Sequence, residues 1–152
     1  MNTRRLKIEQ LNNKLKSYLV IGATPLPSIG WLKTIRSSIG MSLEQLGEQL
    51  GITKQGALNL ERREATGAIT IKALREAGKA MDMKLVYGFV PNDGSIDELI
   101  ERKAKELATE IVLRTSGTMK LENQENSSER IQKAINERTK EIIDEMPKML
   151  WD

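Results

Sequence analysis

Between Gly40 and Thr70 the chain carries helix start and stop signals at short intervals, and this spacing restricts the fold more than any other feature. Ser42 can cap a helix over Leu43 to Leu50, with Gln45 at the reciprocal position of a capping box. Gly51 ends that helix, Thr53 caps a second one running to about Arg63, and Thr70 caps a third over Ile71 to Met81. Ahead of them, Ser28 to Ile39 places Ile29, Leu32, Ile35, Arg36 and Ile39 on one helical stripe, with Gly40 as the C-cap. Four short helices therefore follow one another. Only five residues of the chain are aromatic, which also argues against a β-sandwich and for an all-α class.

The flanks read differently. Thr3 to Tyr18 can form a helix with Leu11, Leu15 and Tyr18 on one side, stopped by the two prolines of the stretch from Gly22 to Pro27. Residues 1–27 are thus expected to be a basic N-terminal helix and linker, and residues 28–91 a helical domain. Lys84 to Val90 alternates, with Leu85, Tyr87 and Phe89 on one face and Val86 and Val90 on the other, so a short strand is expected over 84–90. No other segment has a comparable pattern. Its partner is then the same strand of a second subunit in a homodimer, or else the segment is extended and covers the helical core. Residues 92–152 form a helical C-terminal extension: Ser95 caps a helix that turns Ile96, Leu99, Ile100, Leu107 and Ile111 inward. A polar patch over 116–128 interrupts it, and a helix resumes over Glu129 to Met146.

Composition narrows the chemistry. There is no Cys and no His, which removes thiolate metal sites, disulfides and imidazole acid–base catalysis. No enzyme, cofactor or metal is expected. No apolar run approaches a membrane span, and the basic stretch Met1 to Lys16 is not followed by a signal-peptide core, so a soluble cytoplasmic protein without membrane contact is expected. The net charge of +3 is uneven: residues 1–91 hold 14 Lys/Arg against 7 Asp/Glu, and residues 92–152 hold 10 against 14, or +7 and −4. A basic first part suits phosphate, and an acidic, amphipathic second part suits protein contacts or a solvated helical face.

The run from Gly40 to Glu64 resembles the helix-turn-helix of Xre and Cro-type repressors, a lambda-repressor-like fold, over about residues 28–82. Leu46 and Leu50 on the first helix and Ala57 and Leu60 on the second suit the small core that fixes their angle, with Gly51 at the turn. The resemblance implies that Lys54, Gln55 and Asn59 reach base edges of double-stranded DNA, residue types that can bind adenine bidentately or reach guanine acceptors. Thr53 with the helix N-terminus would meet phosphate, as would Arg62 and Arg63 at the end of the helix or just past it. A two-fold dimer would read an inverted-repeat operator. The sequence departs from the pattern at Leu43, where the family often has a phosphate-binding Gln, and at Gly56, inside the reading helix.

The whole layout, with its basic arm, Lys54-Gln55, a strand ending in Val90-Pro91 and an acidic tail, resembles the mobile mystery protein A family. Members are encoded beside a Fic-domain protein, a fold that transfers adenylyl groups to hydroxyl side chains. The resemblance implies an antitoxin-like regulator that represses its own operon and inhibits that partner. Thr118-Met-Lys-Leu-Glu122-Asn123 is similar to the inhibitory helix that restrains Fic enzymes, in which a Glu pairs with the Arg that would hold the ATP γ-phosphate. Thr118, Glu122 and Asn123 are accordingly the expected inhibitory residues. The alternative is a free-standing phage- or plasmid-type transcription regulator whose tail only dimerises.

Overall fold

The structure, a computed structural model, describes residues 3–116 and 124–152, and every regular element in them is helical. In order these are α1 (Thr3–Lys16), α2 (Leu19–Gly22), α3 (Trp31–Ser38), α4 (Leu43–Leu50), α5 (Lys54–Thr66), α6 (Ile71–Ala80), α7 (Ile96–Ser116) and α8 (Gln124–Glu145), then a 3₁₀ turn over Lys148–Trp151. They fall into two compact units: Val20–Gly88, and Met1–Leu19 together with Phe89–Asp152. No helix among the described residues is long and apolar enough to cross a membrane.

In the Val20–Gly88 unit the capping signals act as their spacing predicts. The Ser42 hydroxyl accepts the Gln45 N–H at 3.1 Å while the Gln45 side chain accepts the Ser42 N–H at 2.8 Å. Thr53 accepts from Gly56 and Thr70 from Ala73, each at 3.0 Å, and Gly51 closes α4 in the left-handed region at φ 68°. Leu32, Leu46, Ala57, Ala77 and Met81 form the buried core. Leu43 packs against it, which gives this residue an inward role where a phosphate-binding side chain would point out.

Two helix ends differ from the sequence expectation. α3 starts at Trp31, three residues after Ser28, because the carboxylate of Glu64 takes the N–H groups of Trp31 and Leu32 at 2.9 and 2.8 Å. A cap supplied from far along the chain replaces a local one. α5 continues through Thr66 to a left-handed Gly67, so Arg62 and Arg63 both sit on the helix and not beyond it.

The second unit is built on α7 and α8. Ile100, Ala104 and Ala108 recur every fourth residue of α7 and bury against Ile135 and Ile142 of α8 and Leu150 of the 3₁₀ turn. α8 begins at Gln124, earlier than Glu129. α1 belongs here as well: Ile8 packs against this core, and the Asn12 side chain accepts the Ile96 N–H at 2.9 Å while donating to Asp97 at 2.8 Å. It therefore caps α7 across 84 positions of sequence, a contact no local pattern encodes.

The strand expected over 84–90 is absent. Those residues have no regular structure, and among the described residues none of their backbone groups is hydrogen-bonded to another. A strand exists only as one of a pair. Nor does the segment cover the core, since Phe89 is 83% exposed and Val86 and Tyr87 are exposed too.

Gly47 controls how α4 approaches the turn into α5. A Cβ there would lie 2.8 Å from the Ile52 carbonyl oxygen and 3.0 Å from that of Thr53, and both are backbone atoms. Gly47→Ala is expected to destabilise the Val20–Gly88 unit by about 1–3 kcal/mol through overpacking. The measurement is the urea midpoint at unchanged denaturant slope. An unshifted midpoint would show that the turn can yield.

Candidate functional site

α5 has two chemically opposite sides. Ala57, Leu60 and Glu61 are buried, while Lys54, Gln55, Asn59, Arg62 and Arg63 are exposed. At about 100° of rotation per residue, Gln55, Asn59 and Arg62 fall within about 60° of one another, with Lys54 and Arg63 on either side. Gln55, Asn59, Arg62 and Arg63 thus share one face, with Lys54 at its edge beyond half-buried Leu58. Gln55 Nε2 donates to Asn59 Oδ1 at 3.3 Å, which aligns the two amides one turn apart. Each amide keeps both a donor and an acceptor for an outside ligand.

The N-terminal end of α5 is closed on one donor and open on others. Thr53 uses its hydroxyl on the Gly56 N–H, whereas the Lys54 and Gln55 N–H groups have no partner among the described residues. Gly56 has a local reason for its size: a Cβ would crowd Thr53 Oγ1 at 3.3 Å and Ile52 at 3.4 Å. The absent side chain lets the cap and the turn seat against the first turn of the helix.

Two residues that the sequence reading did not single out as a site hold this helix in place. Glu61 is 3% exposed and takes Arg36 in a paired contact, Nε at 2.5 Å and Nη2 at 3.0 Å, and Arg36 Nη1 also bonds the Met41 carbonyl at 2.9 Å. The hydrogen bond to Glu61 raises the Arg36 pKa above its already high ordinary value, so the guanidinium stays charged. Both positions are charges on otherwise inward stripes, Arg36 beside Leu32 and Ile35, Glu61 beside Ala57 and Leu60. That is the sequence signal for a buried pair. Glu64, one turn on, caps α3. With Arg36, Glu61 and Glu64 occupied internally, the exposed charges of Val20–Gly88 are eight cations (Lys33, Lys54, Arg62, Arg63, Lys72, Arg75, Lys79 and Lys84) against four acids (Glu44, Glu48, Glu76 and Asp82).

The other expected sites are elsewhere. Thr118, Glu122 and Asn123 lie outside the described residues. Leu85 and Tyr87 end the Val20–Gly88 unit and Phe89 begins the other, so this segment is the passage between them. No group of three or more acidic residues among the described residues is placed to hold a metal ion.

Compared with models of known protein families, with curated proteins and with solved structures, the chain matches none.

Removing either member of the inner pair strands its partner. Glu61→Ala and Arg36→Ala are each expected to destabilise the fold by about 3 kcal/mol. In a double-mutant cycle the second substitution should add little to the first, read by chemical denaturation. Strict additivity would mean that the contact contributes nothing to stability.

Proposed function

We propose that the chain is a sequence-specific DNA-binding repressor of the helix-turn-helix kind, acting as a homodimer on an inverted repeat, and an antitoxin of the mobile mystery protein A type. The observation that carries the DNA reading is the outer face of α5, where Lys54, Gln55, Asn59 and Arg62 are exposed side by side while both acids of the inner stripe are engaged. Amides near the N-terminus of such a helix recognise adenine, and lysine or arginine recognises guanine. The excess of exposed cations on this unit supplies the nonspecific attraction to phosphate. Arg62 and Arg63, farther along the helix, act on phosphates together with the N-terminal N–H groups beside Thr53.

The antitoxin part of the reading rests on the sequence at Thr118 to Asn123, between the end of α7 and the start of α8. Glu122 is the group proposed to occupy the Arg of a Fic-type adenylyltransferase partner and thereby exclude the productive pose of ATP. A free-standing regulator has no such partner.

Gln55→Ala and Asn59→Ala are each expected to weaken operator binding by about 1–3 kcal/mol while leaving random-sequence DNA nearly unaffected. Arg62→Ala should weaken both and reduce the salt slope by about one. Fluorescence anisotropy on the two DNAs across a salt series separates these outcomes, and an intact operator preference in the two amide variants would refute the docking. For the tail, Glu122→Gly is expected to restore adenylylation by a co-purified Fic protein. Unchanged inhibition would exclude Glu122 as the blocking group.

A further inference from the structure

The passage from Lys84 to Val90 is seven residues long, and its backbone is unused within the described chain. Its boundaries are chemically defined. On the N-terminal side Met83 already gives its N–H to the Gly78 carbonyl at 2.8 Å, in the turn that ends α6, and Asp82 is in the left-handed region at φ 56°. On the C-terminal side Pro91 has no N–H to give. Between these stops every residue has a free backbone donor and acceptor, and Val86, Tyr87, Phe89 and Val90 are exposed. Such a row of unpaired groups with apolar side chains is a template for another strand.

We propose that this segment pairs with itself in a second copy of the chain, antiparallel and centred on Tyr87, so that Lys84 faces Val90 of the other copy, Leu85 faces Phe89, Val86 faces Gly88 and Tyr87 faces Tyr87. The inference deepens the homodimer in the proposed function and rests on it. Three observations select this arrangement. A two-fold pair of strands must be centred on a residue, and centring on Tyr87 uses all of 84–90 without drawing in Met83 or Pro91. With the even-numbered pairs hydrogen-bonded, Met83 and Pro91 of the other copy fall at a non-bonded position, where neither needs an N–H directed across the ribbon. The third is charge: Lys84 is the sole charged residue of the segment. Antiparallel pairing sets the two Lys84 side chains about 20 Å apart, whereas parallel in-register pairing would set them side by side.

In this register Leu85, Tyr87 and Phe89 of both copies line one face, with the two tyrosine rings adjacent at the axis. The ladder holds about eight backbone hydrogen bonds. A two-stranded ribbon is marginally stable by itself, so it sets the register of a dimer that other surfaces of the chain help to hold.

The absence of cysteine from the chain makes the register directly testable. A non-bonded antiparallel pair brings the two Cα atoms to about 4.5 Å, within disulfide range. In the full-length chain, Tyr87→Cys is expected to form a covalent dimer under mild oxidation. Phe89→Cys alone should not, because its own copy would be about 14 Å away, four residues along the strand, while a mixture of Leu85→Cys and Phe89→Cys chains should cross-link to each other. Val86→Pro should raise the dimer dissociation constant more than tenfold in sedimentation equilibrium. A chain that is dimeric by sedimentation yet cross-links through Phe89→Cys and not through Tyr87→Cys would overturn the register and leave the homodimer standing. A chain that is monomeric at all concentrations but still prefers its operator would overturn both the ribbon and the homodimer and leave the DNA reading intact.

Discussion

Glu61 carries a carboxylate into the interior of the Val20–Gly88 unit, and much of that unit depends on how its charge is met. A buried, unpaired carboxylate would cost several kcal/mol. Arg36 meets it with two nitrogens and spends a third on the Met41 carbonyl, so one guanidinium ties the middle of α5 to α3 and to the loop that leads into α4. One turn farther along, Glu64 bonds the first two N–H groups of α3. The favourable placement of a carboxylate at a helix N-terminus adds to those bonds. Both acids of α5 are therefore directed toward α3, and its three cations, Lys54, Arg62 and Arg63, are left exposed. The helix sorts its charges by sign, and that sorting makes the outer face fit to meet an anion.

The turn before α5 is fixed by the absence of side chains as much as by bonds. Gly47 allows the carbonyls of Ile52 and Thr53 to come within a distance no Cβ would permit, and Ile52 returns its N–H to the Gly47 carbonyl at 2.9 Å. Gly51 takes the left-handed conformation between them. Gly56 then leaves room for Ile52 and the Thr53 hydroxyl against the start of α5. Three glycines within ten residues thus set where α5 begins relative to α4. The exposed position of Gln55 and Asn59 follows from that start, since moving a helix by one residue rotates its faces by about 100°.

Local signals were legible in the sequence and distant ones were not. Ser42, Gln45, Thr53 and Thr70 act within three residues of themselves, and each does what its spacing indicates. The stripe from Ser28 suggests an earlier start for α3, but its first N–H groups are met by Glu64, 32 positions away from Leu32. Nothing in the sequence near Asn12 marks it as the residue that accepts the first N–H of α7, 84 positions away. Arg36 was visible only as a member of an apolar stripe, and a charge in that position is itself the clue that an opposite charge lies inside. Residues 84–90 alternate as a strand would, yet a pattern becomes a strand only with a partner, and the described chain offers none.

The placement of α1 also changes what the charge asymmetry means. Along the sequence, the basic arm adds to the basic helices and leaves the tail acidic. By compact unit the count differs: Met1–Leu19 with Phe89–Asp152 holds 15 Lys/Arg and 15 Asp/Glu, whereas Val20–Gly88 holds 9 and 6. The entire net charge of +3 then belongs to the unit that contains α5, and the other unit is balanced. Net charge therefore favours attraction of a polyanion to the Val20–Gly88 unit over the other. The other unit exposes apolar side chains such as Leu113, Met149 and Trp151 instead of a net charge. The two units thus differ in charge balance as well as in the side chains they expose.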